Sequence, residues 1–113
     1  MVLCGIMTAG AQSSYWLDKA KGYMREVEYY NRQAEGHERD ADYYNRQAQS
    51  YMRDADYYSR RNNPDKAQTY TRWAREATDK AQTRMRWAQE SREKAARYSR
   101  WAQEALEKAQ RER

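Results

Sequence analysis

The sequence predicts an all-α fold, a long antiparallel two-helix hairpin paired as a coiled coil in which alanine stands opposite tyrosine or tryptophan. Three observations predict it. An aromatic pair recurs every fourteen residues, at Tyr15-Trp16, Tyr29-Tyr30, Tyr43-Tyr44 and Tyr57-Tyr58. A second series with the same period places Arg72-Trp73-Ala74, Arg86-Trp87-Ala88 and Arg100-Trp101-Ala102. Between the two series lies Asn62-Asn63-Pro64-Asp65, the one strong break. Fourteen residues are two heptads, and a strict heptad multiple means about 3.5 residues per turn, the signature of left-handed coiled-coil pairing rather than of a solenoid.

Composition fits one domain with an unusual core. Val2, Leu3, Ile6, Leu17, Val27 and Leu106 are the only branched aliphatic residues in the chain, so no ordinary aliphatic core can form. Burial must come from Ala, Met, Tyr and Trp. Few aliphatics beside 35% charged residues would suggest disorder, but eleven Tyr and four Trp argue against it, and the periodicity argues for helix. The net charge of +5 is carried by the second half. Residues 14–62 balance nine Lys/Arg against nine Asp/Glu, whereas 63–113 hold thirteen against eight.

Residues 1–12 are apolar and uncharged, and the composition changes at Ser13. The run is too short to span a bilayer. Its Ala9-Gly10-Ala11 ending resembles a signal-peptidase site without the basic region that normally precedes one. Three readings stay open: the remnant of a signal peptide, an apolar arm that docks on the domain or a neighbour, and a disordered tail. The first would place the protein outside the cell or on its surface, the others in the cytoplasm.

The first helix is expected over residues 13–61, with Ser13 or Ser14 as its cap. With Ala or Val at heptad position a, that position reads Ala20, Val27, Ala34, Ala41, Ala48, Ala55, and position d reads Trp16, Tyr23, Tyr30, His37, Tyr44, Tyr51, Tyr58. Position f is an unbroken row of Arg25, Arg32, Arg39, Arg46, Arg53 and Arg60. Gly22 and Gly36 each cost roughly 1 kcal/mol against Ala, too little to end so long a helix. The turn is expected at residues 62–64, where Asn63 can cap and Pro64 suits a first helical turn.

The second helix is expected over residues 64–113. Its position a is Ala67, Ala74, Ala81, Ala88, Ala95, Ala102, Ala109, and its position g alternates Lys66, Trp73, Lys80, Trp87, Lys94, Trp101, Lys108. Folding back at the turn sets Tyr58 against Ala67, Tyr51 against Ala74, Tyr44 against Ala81, and so on to Trp16 against Ala109. On this pairing large residues meet alanine throughout, and no aromatic meets an aromatic.

One face is left over. It gathers Trp73, Trp87 and Trp101 from the second helix and Tyr29, Tyr43 and Tyr57, with Tyr15, from position c of the first. Rungs of Tyr57 with Trp73, Tyr43 with Trp87 and Tyr29 with Trp101, about 21 Å apart, are expected there. Apolar patches rich in Trp and Tyr mark interaction sites, and a two-helix hairpin buries little by itself. The sequence therefore predicts a structural protein that assembles with copies of itself into a homo-oligomer, and into a filament or tube if a second contact exists. Arg32, Arg46 and Arg60 are the candidates for that contact, facing Asp79, Glu93 and Glu107 of a neighbour.

Catalytic chemistry finds no support in the pattern. His37 lacks a second ligand or a nucleophile, and reads as a polar core residue forming a layer with Arg84. The carboxylate pairs Glu26/Glu28, Asp40/Asp42 and Asp54/Asp56 recur with the heptad and suit surface ion pairing. With no phosphate loop, metal motif or CxxC, the chain reads as a non-enzyme that needs no cofactor, metal or small-molecule substrate. The rival reading is a nucleic-acid-binding or membrane-surface coiled coil that uses the basic second helix, since aromatics interleave with Arg. Scattered acidic residues weigh against it, most of all for a membrane.

Overall fold

The computed structural model describes the backbone of residues 2–112 and the side chains of residues 12–112. It is an antiparallel helical hairpin of α1 (Val2–Arg60) and α2 (Pro64–Arg111), packed against each other with no strand among the described residues. Two compact units divide it, one of residues 33–90 around the turn and one of residues 1–32 with 91–113.

Asparagine chemistry makes the turn. Asn62 takes the left-handed conformation, with φ of 58°, that Asn tolerates better than most residues. Its amide donates to the Ser59 carbonyl at 3.2 Å and that of Asn63 to the Tyr58 carbonyl at 2.9 Å, the paired bonds of a Schellman ending. Asn63 then caps α2, as expected: its Oδ1 accepts from the Lys66 amide at 3.3 Å and its carbonyl from the Ala67 amide at 3.1 Å. Pro64 follows at the first helical position, where its missing N–H leaves nothing unpaired.

At the other end α1 starts at Val2, and Ser13 lies inside the helix instead of capping it. Ser13 is buried at a position-a site and its Oγ donates to the Ala109 carbonyl of α2 at 3.2 Å. A small hydroxyl can replace alanine there because it finds an acceptor. The side chains of residues 1–11, and with them the anticipated apolar arm, lie outside the described residues.

The core is alanine. In the turn unit Ala34, Ala41, Ala48, Ala55, Ala74, Ala77, Ala81 and Ala88 are buried; in the other, Ala20, Ala95, Ala102, Ala105 and Ala109. No large side chain is fully buried among the described residues, and the position-d rings of α1 are half-buried along the seam. The helix register agrees with the sequence pairing, but one expectation fails: aromatics do meet across the seam. Tyr70 stacks on Tyr58 with ring centroids 5.5 Å apart at 7° and also reaches Tyr51 at 6.3 Å. Tyr98 does the same with Tyr30, at 5.8 Å and 9°, and with Tyr23 at 6.1 Å. The reason is the shortness of alanine. A ring directly opposite Ala has nothing to hold it upright, so it leans toward the rings of the layers above and below.

Candidate assembly surface

Position g borders the seam on its position-d side, so each g residue of α2 lies beside a d ring of α1. In the turn unit the alternation of Lys and Trp at g therefore covers successive rings in two ways. Lys66 Nζ lies 5.1 Å from the centroid of Tyr58, and Lys80 Nζ 5.6 Å from that of Tyr44. Trp73 meets Tyr51 edge-on at 5.7 Å and Trp87 meets His37 at 5.6 Å. The terminal unit repeats the scheme with Lys94 over Tyr30, Trp101 on Tyr23 and Lys108 over Trp16. Each ammonium over a ring contributes about 0.5–1 kcal/mol at such exposure, and each ring pair about as much.

This arrangement corrects the expected rungs. The ring that each tryptophan meets across the seam is the position-d residue, while the outer tyrosines pack beside their own neighbours: Tyr57 on Tyr58, Tyr43 on Tyr44, Tyr29 on Tyr30 and Tyr15 on Trp16, all edge-on at 5.0–5.4 Å. Position c lies roughly 130° around the helix from the seam and g roughly 90°, so a tryptophan at g folds inward over d before it can reach c. Even so, the predicted surface residues are on the surface. Trp73, Trp87 and Trp101 are 39–41% exposed, and Tyr29, Tyr43 and Tyr57 are 49–57% exposed.

The middle of the turn unit is polar, though not as expected. Arg84 does not build its layer with His37. Its guanidinium donates to Asp40 Oδ2 at 3.2 Å and lies 4.9 Å from the centroid of Trp87, whose ring takes His37 at its other contact. A planar, weakly hydrated guanidinium can lie on an indole and reach a carboxylate at once. Arg32, Arg46 and Arg60 sit on the outer face, each paired within α1: with Glu28 at 3.8 Å, Asp42 at 2.8 Å and Asp56 at 3.1 Å. Such exposed pairs are worth a few tenths of a kcal/mol and exchange freely for other partners.

A second alternation runs along position c of α1, and the aromatic ladder hid it. Tyr15, Gly22, Tyr29, Gly36, Tyr43, Ser50 and Tyr57 place a ring and a small residue in turn. The small residues flank the rings that Trp covers; the tyrosines flank the rings that Lys covers. Reading positions c and g together would have found this in the sequence. Around each glycine the surface is open: a Cβ added at Gly22 or Gly36 would meet nothing within 4 Å. A groove of about 450 Å³ at Gly36 is lined by Gln33, His37, Arg39, Asp40 and Arg84. In the terminal unit one of about 480 Å³ at Gly22 is lined by Tyr15, Asp18, Lys19, Tyr23, Glu26 and Tyr98.

Among the described residues no three His, Cys, Asp or Glu side chains gather as metal ligands, and no helix is long and apolar enough to cross a membrane. Comparison with protein-family models, curated proteins and solved structures finds no match for the chain.

Proposed function

We propose that this is a structural protein that assembles with further copies of itself through the Trp/Tyr face, as a homo-oligomer that extends into a filament or tube. One observation carries the reading. Among the described residues the buried apolar side chains are all alanine, so every tyrosine and tryptophan keeps part of its ring in water. Rings of this kind supply most of the energy of protein interfaces, and a hairpin whose only fully buried apolar side chains are alanines gains most from covering the rings it leaves half-exposed or exposed.

The basic-helix alternative is weakened by the eight acidic residues interspersed among the thirteen basic ones of residues 63–113, which break up the continuous cationic surface that a polyanion would need. Electron microscopy and sedimentation of the purified chain, without nucleic acid or lipid and at low and high salt, test the proposal. Ordered assemblies are expected, and Trp87→Ala should weaken them at least tenfold while the helical circular dichroism persists. A species that stays monomeric until nucleic acid or lipid is added would refute self-assembly and move the function to α2.

A further inference from the structure

The two alternations at position c suit each other. A tyrosine that projects from the helix is a knob, and a glycine with open space around it is a hole. Both recur every fourteen residues on the same face, displaced by seven, so a second α1 shifted by one heptad, about 10.5 Å, brings knobs opposite holes along the contact. We propose that the partner on this face is a second copy of the chain, its α1 parallel to the first and offset by one heptad, with Tyr43 of one copy seated at Gly36 of the other and Tyr29 at Gly22. This deepens the self-assembly proposed above and rests on it.

Charge selects the parallel orientation. Each of these knobs has an arginine one turn further on at position f, Arg46 after Tyr43 and Arg32 after Tyr29. Each hole has a carboxylate one turn further on at position g, Asp40 after Gly36 and Glu26 after Gly22, and both line the grooves, Asp40 beside Arg39 and Arg84, Glu26 beside Asp18 and Lys19. When two parallel helices meet along c, the f side of one faces the g side of the other, so arginine meets carboxylate. An antiparallel meeting would instead set f against f, where arginine recurs at every heptad from Arg25 to Arg60, and g against g, where Lys19, Gln33 and Gln47 alternate with the acids, so the arginine rows would repel and lose their carboxylate partners. The present partners of Arg46 and Arg32 are exposed residues of their own helix, and the side chain of Asp40, which already holds Arg84 through Oδ2, is 52% exposed, so the second contact gives up little. Knob and hole together also explain the doubled period. A seven-residue repeat would make every position c alike and provide no hole.

Two double variants of the full chain test this, read by sedimentation velocity and circular dichroism. Gly22→Leu/Gly36→Leu fills both holes with a strong helix former, so thermal stability should rise or hold while self-association falls at least tenfold. Gly22→Ala/Gly36→Ala gives a similar gain in helix propensity but leaves most of each groove open, and should associate as the parent does. Equal association of the parent and the Leu variant would overturn the knob-and-hole contact while leaving self-assembly standing. Equal loss in the Ala and Leu variants would overturn it as well, because helix stiffening would then be the cause. A parent chain that stays monomeric at all concentrations would remove both the contact and the self-assembly on which it rests.

Discussion

Within the turn unit, two clusters one repeat apart occupy equivalent places and differ in chemistry. Tyr51, Tyr70 and Trp73 form an aromatic cluster with centroid distances of 5.1–6.3 Å. Fourteen residues away on each helix, His37, Arg84 and Trp87 hold the same positions, with Trp87 5.6 Å from His37 and 4.9 Å from the Arg84 guanidinium. The near-equal spacing teaches that the backbone register sets the place and the residue only has to be flat and long enough to fill it. What changes is the source of stability. The first cluster rests on ring burial, the second on cation–π contact and the Asp40 ion pair. A chain of identical repeats can slide by one repeat against a neighbour without visible cost, whereas a single polar cluster among aromatic ones marks one register as correct.

Truncating each cluster at the same position should separate these sources most widely. Tyr70→Ala removes a half-buried ring that touches Tyr51, Tyr58 and Trp73, and is expected to cost about 2–3 kcal/mol. Arg84→Ala loses an exposed ion pair and one cation–π contact, and should cost about 1 kcal/mol. Urea unfolding of the two variants side by side measures the difference. Equal costs would mean that the two clusters are held by the same forces.

Converting one cluster into the other is the next largest effect. His37→Tyr with Arg84→Tyr should raise stability by about 1–2 kcal/mol, since replacing polar seam residues by well-packed apolar ones is often stabilising. If the polar cluster marks register, the double variant should also assemble less uniformly, as a broader sedimentation distribution. A gain in stability with unchanged uniformity would leave the polar cluster without that role.

Most of the fold could be read from the chain, and the reasons are specific. The unbroken alanines at a, the Asn62–Asn63–Pro64 punctuation and the large-against-small register are all local patterns with one physical meaning each. The start of α1 was not readable, because Ser13 closes an apolar run and looks like a cap; nothing local says that its hydroxyl would reach the Ala109 carbonyl of the other helix. The ring contacts were missed for a different reason. Pairing residues directly across the seam says nothing about diagonal reach, and a ring facing alanine leans by most of a layer. The exposure of the candidate surface residues was readable one by one, yet their ring contacts came out differently, since the face a residue occupies is fixed by heptad position while its partners depend on the angle between c and g. The same geometry brings Lys66, Lys80, Lys94 and Lys108, which position g alone leaves without a partner, each over a ring of α1.

The smallest effect isolates the charge in the polar cluster. Asp40 and Arg84 have side chains 52% and 33% exposed, so their ion pair is screened by water and contributes about 0.5 kcal/mol. Asp40→Asn keeps an oxygen that can accept from the guanidinium and removes only the charge. It should lower stability by that amount at low salt and by less at high salt, where the parent pair is already screened. Asp54→Asn is the matched control one repeat later, where the α2 residue at the position of Arg84 is the uncharged Tyr70. If the two substitutions have the same effect and the same salt dependence, the polar cluster differs from the aromatic one in shape alone, and its charges do not contribute to holding the register.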